Sequence, residues 1–198
     1  MPAADRSHVL WRVATIVEAH KWCALDVETT GLGMKDQVIE VGVCGPDLIP
    51  HSWRIRPTVP VTPEATAIHG ITDADLEQCP TYPEIWPDIL THIAGRKTVM
   101  YHADFDYAML RHSARAFALR PPEIWQGQCV MNWYAVVHGE PRGFADYRSQ
   151  SLHTACQCLG ISLPQGGHLH SAATDALLTA HVMLRLADLH RRASGQKP

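Results

Sequence analysis

The chain has 198 residues, enough for one domain with a sizeable core, and its 46% hydrophobic and 19% charged residues exclude a disordered protein. Its formal net charge of −3 gives no global basic surface of the kind typical of nucleic-acid-binding proteins. The first residues lack a signal-peptide layout, no apolar run has the length of a membrane span, and the six cysteines form no C-x-x-C pair. We therefore expect a cytoplasmic protein with reduced thiols and no membrane partner.

The predicted elements begin with a short amphipathic helix over residues 7–20, where apolar side chains recur at close to helical spacing. Three strand candidates follow at 22–27, 37–44 and 51–56. Because the connections between them are short and polar, these strands are predicted to form an antiparallel meander.

The second half of the chain alternates helices with short strands. Residues 82–94 and 103–117 predict helices on either side of a buried strand at 98–101. A short fifth strand is expected around 128–130, before a helix through 133–137. The remaining predicted elements are a loop over 138–150, a helix over 151–159, a glycine-rich loop at 165–168 and a long helix over 171–192.

The order of these elements predicts the fold class. Strands first and helices interleaved later indicate an α/β fold, with a mixed five-stranded sheet whose first three strands are antiparallel and with helices on both faces. The predicted organisation is an N-terminal helical extension over residues 1–20, a single domain over 21–192 and a disordered tail over 193–198.

Two acids at the end of the first strand are the first candidate functional residues. Asp26 and Glu28 are two positions apart, so strand alternation places both on one side of the sheet. Two like charges there are costly to desolvate, and a divalent cation such as magnesium or manganese would compensate them. A pair of solvated acids at a strand end is the alternative explanation.

Two helices carry acids that match this pair. Asp106 shares a helical stripe with Leu110, and Asp175 heads another stripe with Leu178, so both acids are predicted to face the sheet. His170 lies five residues before Asp175, a rotation of roughly 140° on a helix, and is therefore placed on the preceding loop or first helical position. Singly, these residues could be a helix N-terminal charge or an uninvolved histidine. Together they predict a two-cation site for phosphoryl chemistry.

Three motifs and the I-H-G-I-T segment between them carry a family resemblance. D-x-E-T-T-G-L spans residues 26–32, H-x-A-x-x-D spans 170–175, and I-H-G-I-T spans 68–72. A variant of H-N-x-x-F-D spans 101–106, with Tyr101-His102 in place of the usual His-Asn, which leaves the terminal-nucleotide preference and the pH profile open. With these motifs in register, the chain resembles the DEDDh 3′–5′ exonucleases, the DnaQ-like group that includes polymerase proofreading subunits, ribonuclease T and oligoribonuclease.

The resemblance implies a ribonuclease H-like fold and a mechanism with two magnesium ions, for which manganese is an expected substitute. It implies that a histidine general base and four acidic metal ligands hydrolyse phosphodiester bonds from a 3′ end and release nucleoside 5′-monophosphates. The implied general base is His170, and the implied ligands are Asp26, Glu28, Asp106 and Asp175. The implied substrate-binding residues are Thr29, Thr30, Gly31, Leu32, His69, His102 and Phe105.

The resemblance leaves the substrate and the partners open. Single-stranded DNA is favoured over RNA as the polymer whose 3′ end is bound. An enzyme that trims RNA, like oligoribonuclease or ribonuclease T, and a catalytically silent nucleic-acid-binding subunit are the alternatives. A polymerase or other protein bound in trans and a second copy of the chain are the candidate protein partners.

Overall fold

The computed structural model describes residues 5–120, 128–143, 146–164 and 169–195. The predicted glycine-rich loop at 165–168 lies outside these ranges, as do parts of the predicted loop over 138–150 and of the predicted tail. In chain order, the elements are α1 (Arg6–Glu18), β1 (Trp22–Thr29), β2 (Val38–Cys44), β3 (Pro50–Arg54), α2 (Pro63–His69), α3 (Asp73–Leu76), α4 (Tyr82–Ile93), β4 (Lys97–Val99), α5 (Ala103–Ala116), α6 (Val130–His138), α7 (Leu152–Leu159) and α8 (Ala172–Ala193).

The sheet has the strand order β3-β2-β1-β4. β2 pairs with both β1 and β3 in antiparallel orientation, which confirms the predicted meander. β4 pairs with β1 in parallel orientation, after the chain has crossed over through α2, α3 and α4. The sheet is therefore mixed, as predicted.

The predicted fifth strand around residues 128–130 is wrong, because the sheet within the described ranges has four strands. That segment forms a single parallel bridge between Met100 and Cys129. The Met100 N–H donates to the carbonyl of Gln128 at 3.2 Å, and the Val130 N–H donates to the carbonyl of Met100 at 2.9 Å. Since α6 begins at Val130, the backbone becomes helical before a ladder can form.

Helices cover both faces of the sheet, as predicted. Trp22 and Ala24 of β1 belong to the core beneath α1 and α8, whereas Cys23 and Leu25 belong to the core beneath α4 and α5. Strand alternation extends this pattern to the end of β1, so the acids at positions 26 and 28 lie on the α8 side of the sheet.

The first and last helices pack against each other on that side. Val13 of α1 and Val182 of α8 are both fully buried in one core cluster, so the N-terminal helix shares its core with the sheet. The predicted domain division at residue 20 stays a prediction. Within the ranges described, we find no helix with both the length and the apolar character needed to cross a membrane.

Candidate active site

A cavity of about 590 Å³ opens beside the end of β1 and the first turns of α5 and α8. Asp26 and Glu28 of β1 and Asp175 of α8 each offer a carboxylate oxygen, and these oxygens lie within 4.8 Å of one another. Asp106, in the first turn of α5, lines the same cavity. The structure thus brings the four predicted acids together, with three of them in a tight group.

Local structure explains how α5 places its acid. β4 ends at Val99, and α5 begins at Ala103, so its first turn lies near the end of the strand. Asp106 donates its N–H to the carbonyl of His102 at 3.1 Å, and its side chain is 3% exposed. Leu110, one turn later on the same stripe, is fully buried, so Asp106 faces the sheet as the helical spacing predicted.

The start of α8 places the fourth acid and the histidine. The Asp175 N–H donates to the carbonyl of Ser171 at 2.9 Å, and the Asp175 Oδ2 atom accepts a hydrogen bond from the His170 N–H at 3.3 Å. His170 lies two residues before α8, with an exposed side chain at the cavity and a φ of +62°. Left-handed backbone is strained for a non-glycine residue, so this conformation is held by the surrounding contacts.

Burial and mutual repulsion shift the titration of the acids. Burial raises the pKa of Asp26 well above its ordinary value, and the charges of Asp106 and Asp175 raise it further. Burial, followed by the charge of Asp175, raises the pKa of Glu28 to about 8. The pKa of Asp106 is raised by burial and then by the charge of Glu28. These carboxylates can ionise together near neutral pH only beside a compensating cation.

Two carboxylate oxygens in this group of acids have no hydrogen-bond partner among the described residues and could therefore bind a metal ion. The Oδ2 atom of Asp106 and the Oδ1 atom of Asp175 are buried and accept no hydrogen bond from any residue that the structure describes. Buried polar atoms are nearly always paired, and carboxylate oxygens are preferred ligands of magnesium and manganese. The donor set therefore fits divalent cations.

Six of the seven predicted substrate-binding residues line the cavity. Leu32 is 79% exposed at its edge, so it does not serve as a core residue. The rings of His102 and Phe105 stack with centroids 5.9 Å apart and an interplanar angle of 15°. The six residues are Thr29, Gly31, Leu32, His69, His102 and Phe105.

The structure does not bring Thr30 to the cavity. Its side chain is fully buried, and its hydroxyl donates to the Oδ1 atom of Asp36 at 2.7 Å while accepting from the Gln37 N–H at 3.0 Å. Both oxygens of Asp36 act in this turn, since the Gly33 N–H donates to Oδ2 at 2.6 Å. Thr30 therefore shapes the turn that carries its neighbours.

His69 lines the cavity, but backbone groups engage both of its ring nitrogens. The Nδ1 atom accepts a hydrogen bond from the Ile71 N–H at 3.0 Å, so the Nε2 atom carries the proton and donates to the carbonyl of Thr29 at 3.1 Å. Burial lowers the pKa of His69, which favours this neutral form. The ring ties the end of α2 to the end of β1.

Known proteins match this chain over most of its length. The family model RNase_T, described as "Exonuclease", matches residues 23–183. "Uncharacterized exonuclease CP81" of Escherichia phage 186 is 31% identical over 186 residues, which cover 88% of this chain and 95% of the phage protein. The chain belongs to the RNase_T exonuclease family.

Further comparisons place this RNase_T exonuclease in the DnaQ-like DEDDh group, as the motifs predicted. DNA polymerase III subunit epsilon of Escherichia coli is 31% identical over 173 residues, covering 82% of this chain and 69% of the subunit. Exonuclease X in complex with 5′ overhanging duplex DNA superposes with a TM-score of 0.62 at 25% identity, over 89% of this chain and 94% of the other. The nuclease domain of 3′hExo, a DEDDh family member bound to rAMP, has a TM-score of 0.68 at 16% identity, over 84% and 90%. The ribonuclease H-like fold is confirmed.

One acid near the cavity of this exonuclease was not selected from the sequence. Glu40 lies in β2 directly opposite Glu28 and is 6% exposed. A lone acid between apolar residues, in Val-Ile-Glu-Val, was the signal that could have found it. A buried carboxylate in a strand needs a hydrogen-bond donor or a positive charge on the face of the sheet where its side chain lies.

Tyr101 was noted in the sequence only as a departure from the usual motif. Tyr101 lines the cavity, and the single proton of its hydroxyl is shared between the carbonyls of Gln150 and Ser151, at 2.9 and 3.1 Å. Burial raises its pKa above the ordinary value, so it acts as a neutral donor. Tyr101 therefore ties the end of β4 to the start of α7.

Proposed function

We propose that this exonuclease hydrolyses single-stranded nucleic acid, with DNA preferred, from the 3′ end and releases nucleoside 5′-monophosphates. The observation that carries the proposal is the group of three carboxylates within 4.8 Å of one another, with a fourth acid lining the same cavity. Carboxylates arranged in this way suit a pair of divalent cations better than they suit acid–base chemistry alone, because their shared burial opposes ionisation.

In this proposal the four acids hold two magnesium ions, and manganese substitutes for them. When bound, the ions lower the pKa of the attacking water and stabilise the charge that develops on the phosphate and on the leaving 3′ oxygen. Asp175 is held for this purpose by the His170 N–H, which occupies its Oδ2 atom and leaves Oδ1 free as a ligand. Asp106 likewise keeps its Oδ2 atom free.

His170 is the proposed general base. Its side chain is exposed at the cavity, so a water molecule in the cavity can give its proton directly to a ring nitrogen. Histidine suits this role because its ordinary pKa lies near neutral pH. The hydrogen bond from its own backbone to Asp175 keeps the base beside the ligand group.

The terminal nucleotide is proposed to lie between apolar and aromatic side chains at the cavity edge. Leu32 offers an exposed apolar side chain on one segment, and the stacked pair of His102 and Phe105 offers a ring face on another. Packing of this kind tolerates every base, which suits an enzyme that removes successive nucleotides.

Two similar proteins support DNA as the polymer and a polymerase as a candidate partner. Exonuclease X was solved with duplex DNA, and the Escherichia coli relative is a subunit of DNA polymerase III. We therefore include a polymerase bound in trans in the proposal.

A labelled oligonucleotide tests the direction and the product. A single-stranded 20-mer of DNA labelled at its 5′ end should shorten stepwise in magnesium, with unlabelled nucleoside 5′-monophosphates released first. Immediate release of the label as a mononucleotide would instead establish 5′–3′ digestion. A matched RNA 20-mer and an RNA dinucleotide, assayed in parallel, should be hydrolysed more slowly than the DNA 20-mer. Faster hydrolysis of either RNA substrate would contradict the preference for DNA.

A further inference from the structure

Glu40 is a buried acid for which the proposed chemistry has no use. It lies opposite Glu28, and its charge raises the pKa of both Glu28 and Asp26. Its Oε1 atom is 3.7 Å from the Nε atom of Arg54, and its Oε2 atom accepts a hydrogen bond from the Ala172 N–H at 2.8 Å. A further negative charge beside four acids destabilises the folded protein. We therefore ask what the contact of Glu40 with Ala172 contributes.

Ala172 is the first residue of α8, so its N–H has no acceptor within the helix. The residue before it, Ser171, makes no capping hydrogen bond with its hydroxyl. The first N–H groups of a helix lack partners within the helix and need acceptors from elsewhere. Glu40, 132 residues away along the chain, provides one, and its negative charge is favourable at this end of a helix.

Gly42 lies two residues further along β2, on the same face, and touches the same turn. A Cβ atom at this position would lie 2.0 Å from the carbonyl oxygen of Ala172 and 2.6 Å from the nitrogen of Ala173. The backbone of α8 therefore rests directly on the backbone of β2. One contact is a hydrogen bond and the other is steric, and together they hold the helix start against the strand.

We propose that Glu40 is a positioning residue that holds the first turn of α8 so that Asp175 and His170 face the cavity. Ser171 accepts from Asp175, and Asp175 accepts from His170, so a shift of this turn would move both side chains. The inference rests on the proposed roles of Asp175 and His170.

Two variants of similar size separate the hydrogen bond from the charge. Glu40→Gln and Glu40→Met both remove the charge, but only glutamine keeps an oxygen that can accept from Ala172. We expect Glu40→Gln to keep kcat on single-stranded DNA within about threefold of the wild type, and Glu40→Met to lower it by about tenfold or more with little change in KM. In calorimetry, the dissociation constant for Mn²⁺ should be several-fold higher in Glu40→Met than in Glu40→Gln.

Two control variants separate positioning from stability. Arg54→Gln removes the ion pair and keeps the bond to Ala172, so it should behave as the wild type. Glu84 caps α4 by accepting from the Thr81 N–H at 2.7 Å and does not line the cavity, so Glu84→Ala should lower the melting temperature without changing kcat or Mn²⁺ affinity. If Glu40→Met does not fold, Glu40→Asp replaces it, because the shorter side chain draws the acceptor away from Ala172.

The inference is overturned if Glu40→Met matches the wild type in kcat and in Mn²⁺ affinity. It is also overturned if Glu40→Gln and Glu40→Met lose activity equally, because the charge and not the hydrogen bond would then matter. A wild-type protein that releases no mononucleotide would contradict the proposed function, and the Mn²⁺ titrations would still test Glu40 by themselves.

Discussion

Glu28 and Asp175 approach the same point from a strand and a helix, with carboxylate oxygens within 4.8 Å of each other. Burial, followed by this neighbouring charge, raises the pKa of Glu28 from 4.5 to about 8. Between those two values the folded protein holds a proton that the unfolded chain has released. Stability without metal therefore falls as the pH rises through this window.

The first prediction concerns this linkage between metal and stability. In EDTA, the melting temperature should decrease from pH 5 to pH 8. Magnesium or manganese should raise it by at least about 3 °C at pH 8, and by less at pH 5, where protonated acids bind cations poorly. Thermal denaturation followed by circular dichroism measures all four conditions. An equal metal effect at both pH values would contradict the assignment of the acids as ligands.

The second prediction concerns Asp106 and its neighbour Asp104. Asp106→Asn should lower kcat by about 10³-fold, because it removes a proposed ligand charge, and should leave the metal-free protein at least as stable. Asp104 also lies in the first turn of α5 but is exposed, so Asp104→Asn is the matched control and should stay active. Kinetics on the labelled 20-mer and melting in EDTA provide the comparison. Equal losses in the two variants would show that the helix charge matters and not the ligand position.

The third prediction concerns the strained backbone of His170. His170→Gly should raise the free energy of unfolding by up to about 1 kcal/mol, because glycine adopts positive φ freely, and should lower kcat by about 10²-fold or more. Denaturant titration and initial rates measure the two effects.

His20 provides the control for that variant. It is an exposed histidine with a φ of +51°, in the turn between α1 and β1. His20→Gly should stabilise the protein similarly and leave kcat unchanged. A fully active His170→Gly variant would remove His170 from the role of general base.

The fourth prediction concerns Leu32 as a substrate contact. Leu32→Ala should raise KM for single-stranded DNA by about threefold to tenfold with kcat nearly unchanged, because it removes apolar contact with the terminal nucleotide. Met34 is 87% exposed two residues later and does not line the cavity, so Met34→Ala should leave KM unchanged. An unchanged KM in both variants would exclude Leu32 from nucleotide binding.

Strand and helix periodicity predicted which side of its own element each of these acids faces. Alternation along β1 placed Asp26 and Glu28 on one face, and the helical stripe through Leu110 placed Asp106 toward the sheet. The fifth strand failed because a short apolar run at Cys129 carries no signal that distinguishes one bridge from a ladder.

The contacts that local patterns could not predict join distant segments. The motif predicted Thr30 to bind substrate like its neighbours, but its hydroxyl donates a hydrogen bond to Asp36 instead. Glu40 gave a local signal as an acid in an apolar strand, but its partner is Ala172 at the other end of the chain. Such pairings depend on the docking of α8 on the sheet and leave no periodic trace in the sequence.

We expect the docking of α8 on β2 to be a late event in folding. The bond from Ala172 to Glu40 closes a loop of 132 residues, and contacts of such long range form slowly because the entropy of closing the loop must be overcome first. Until that loop closes, the carboxylates of β1 and α5 have no fourth acid and no histidine beside them. We therefore expect nuclease activity to be among the last properties a refolding chain acquires, after the sheet has formed.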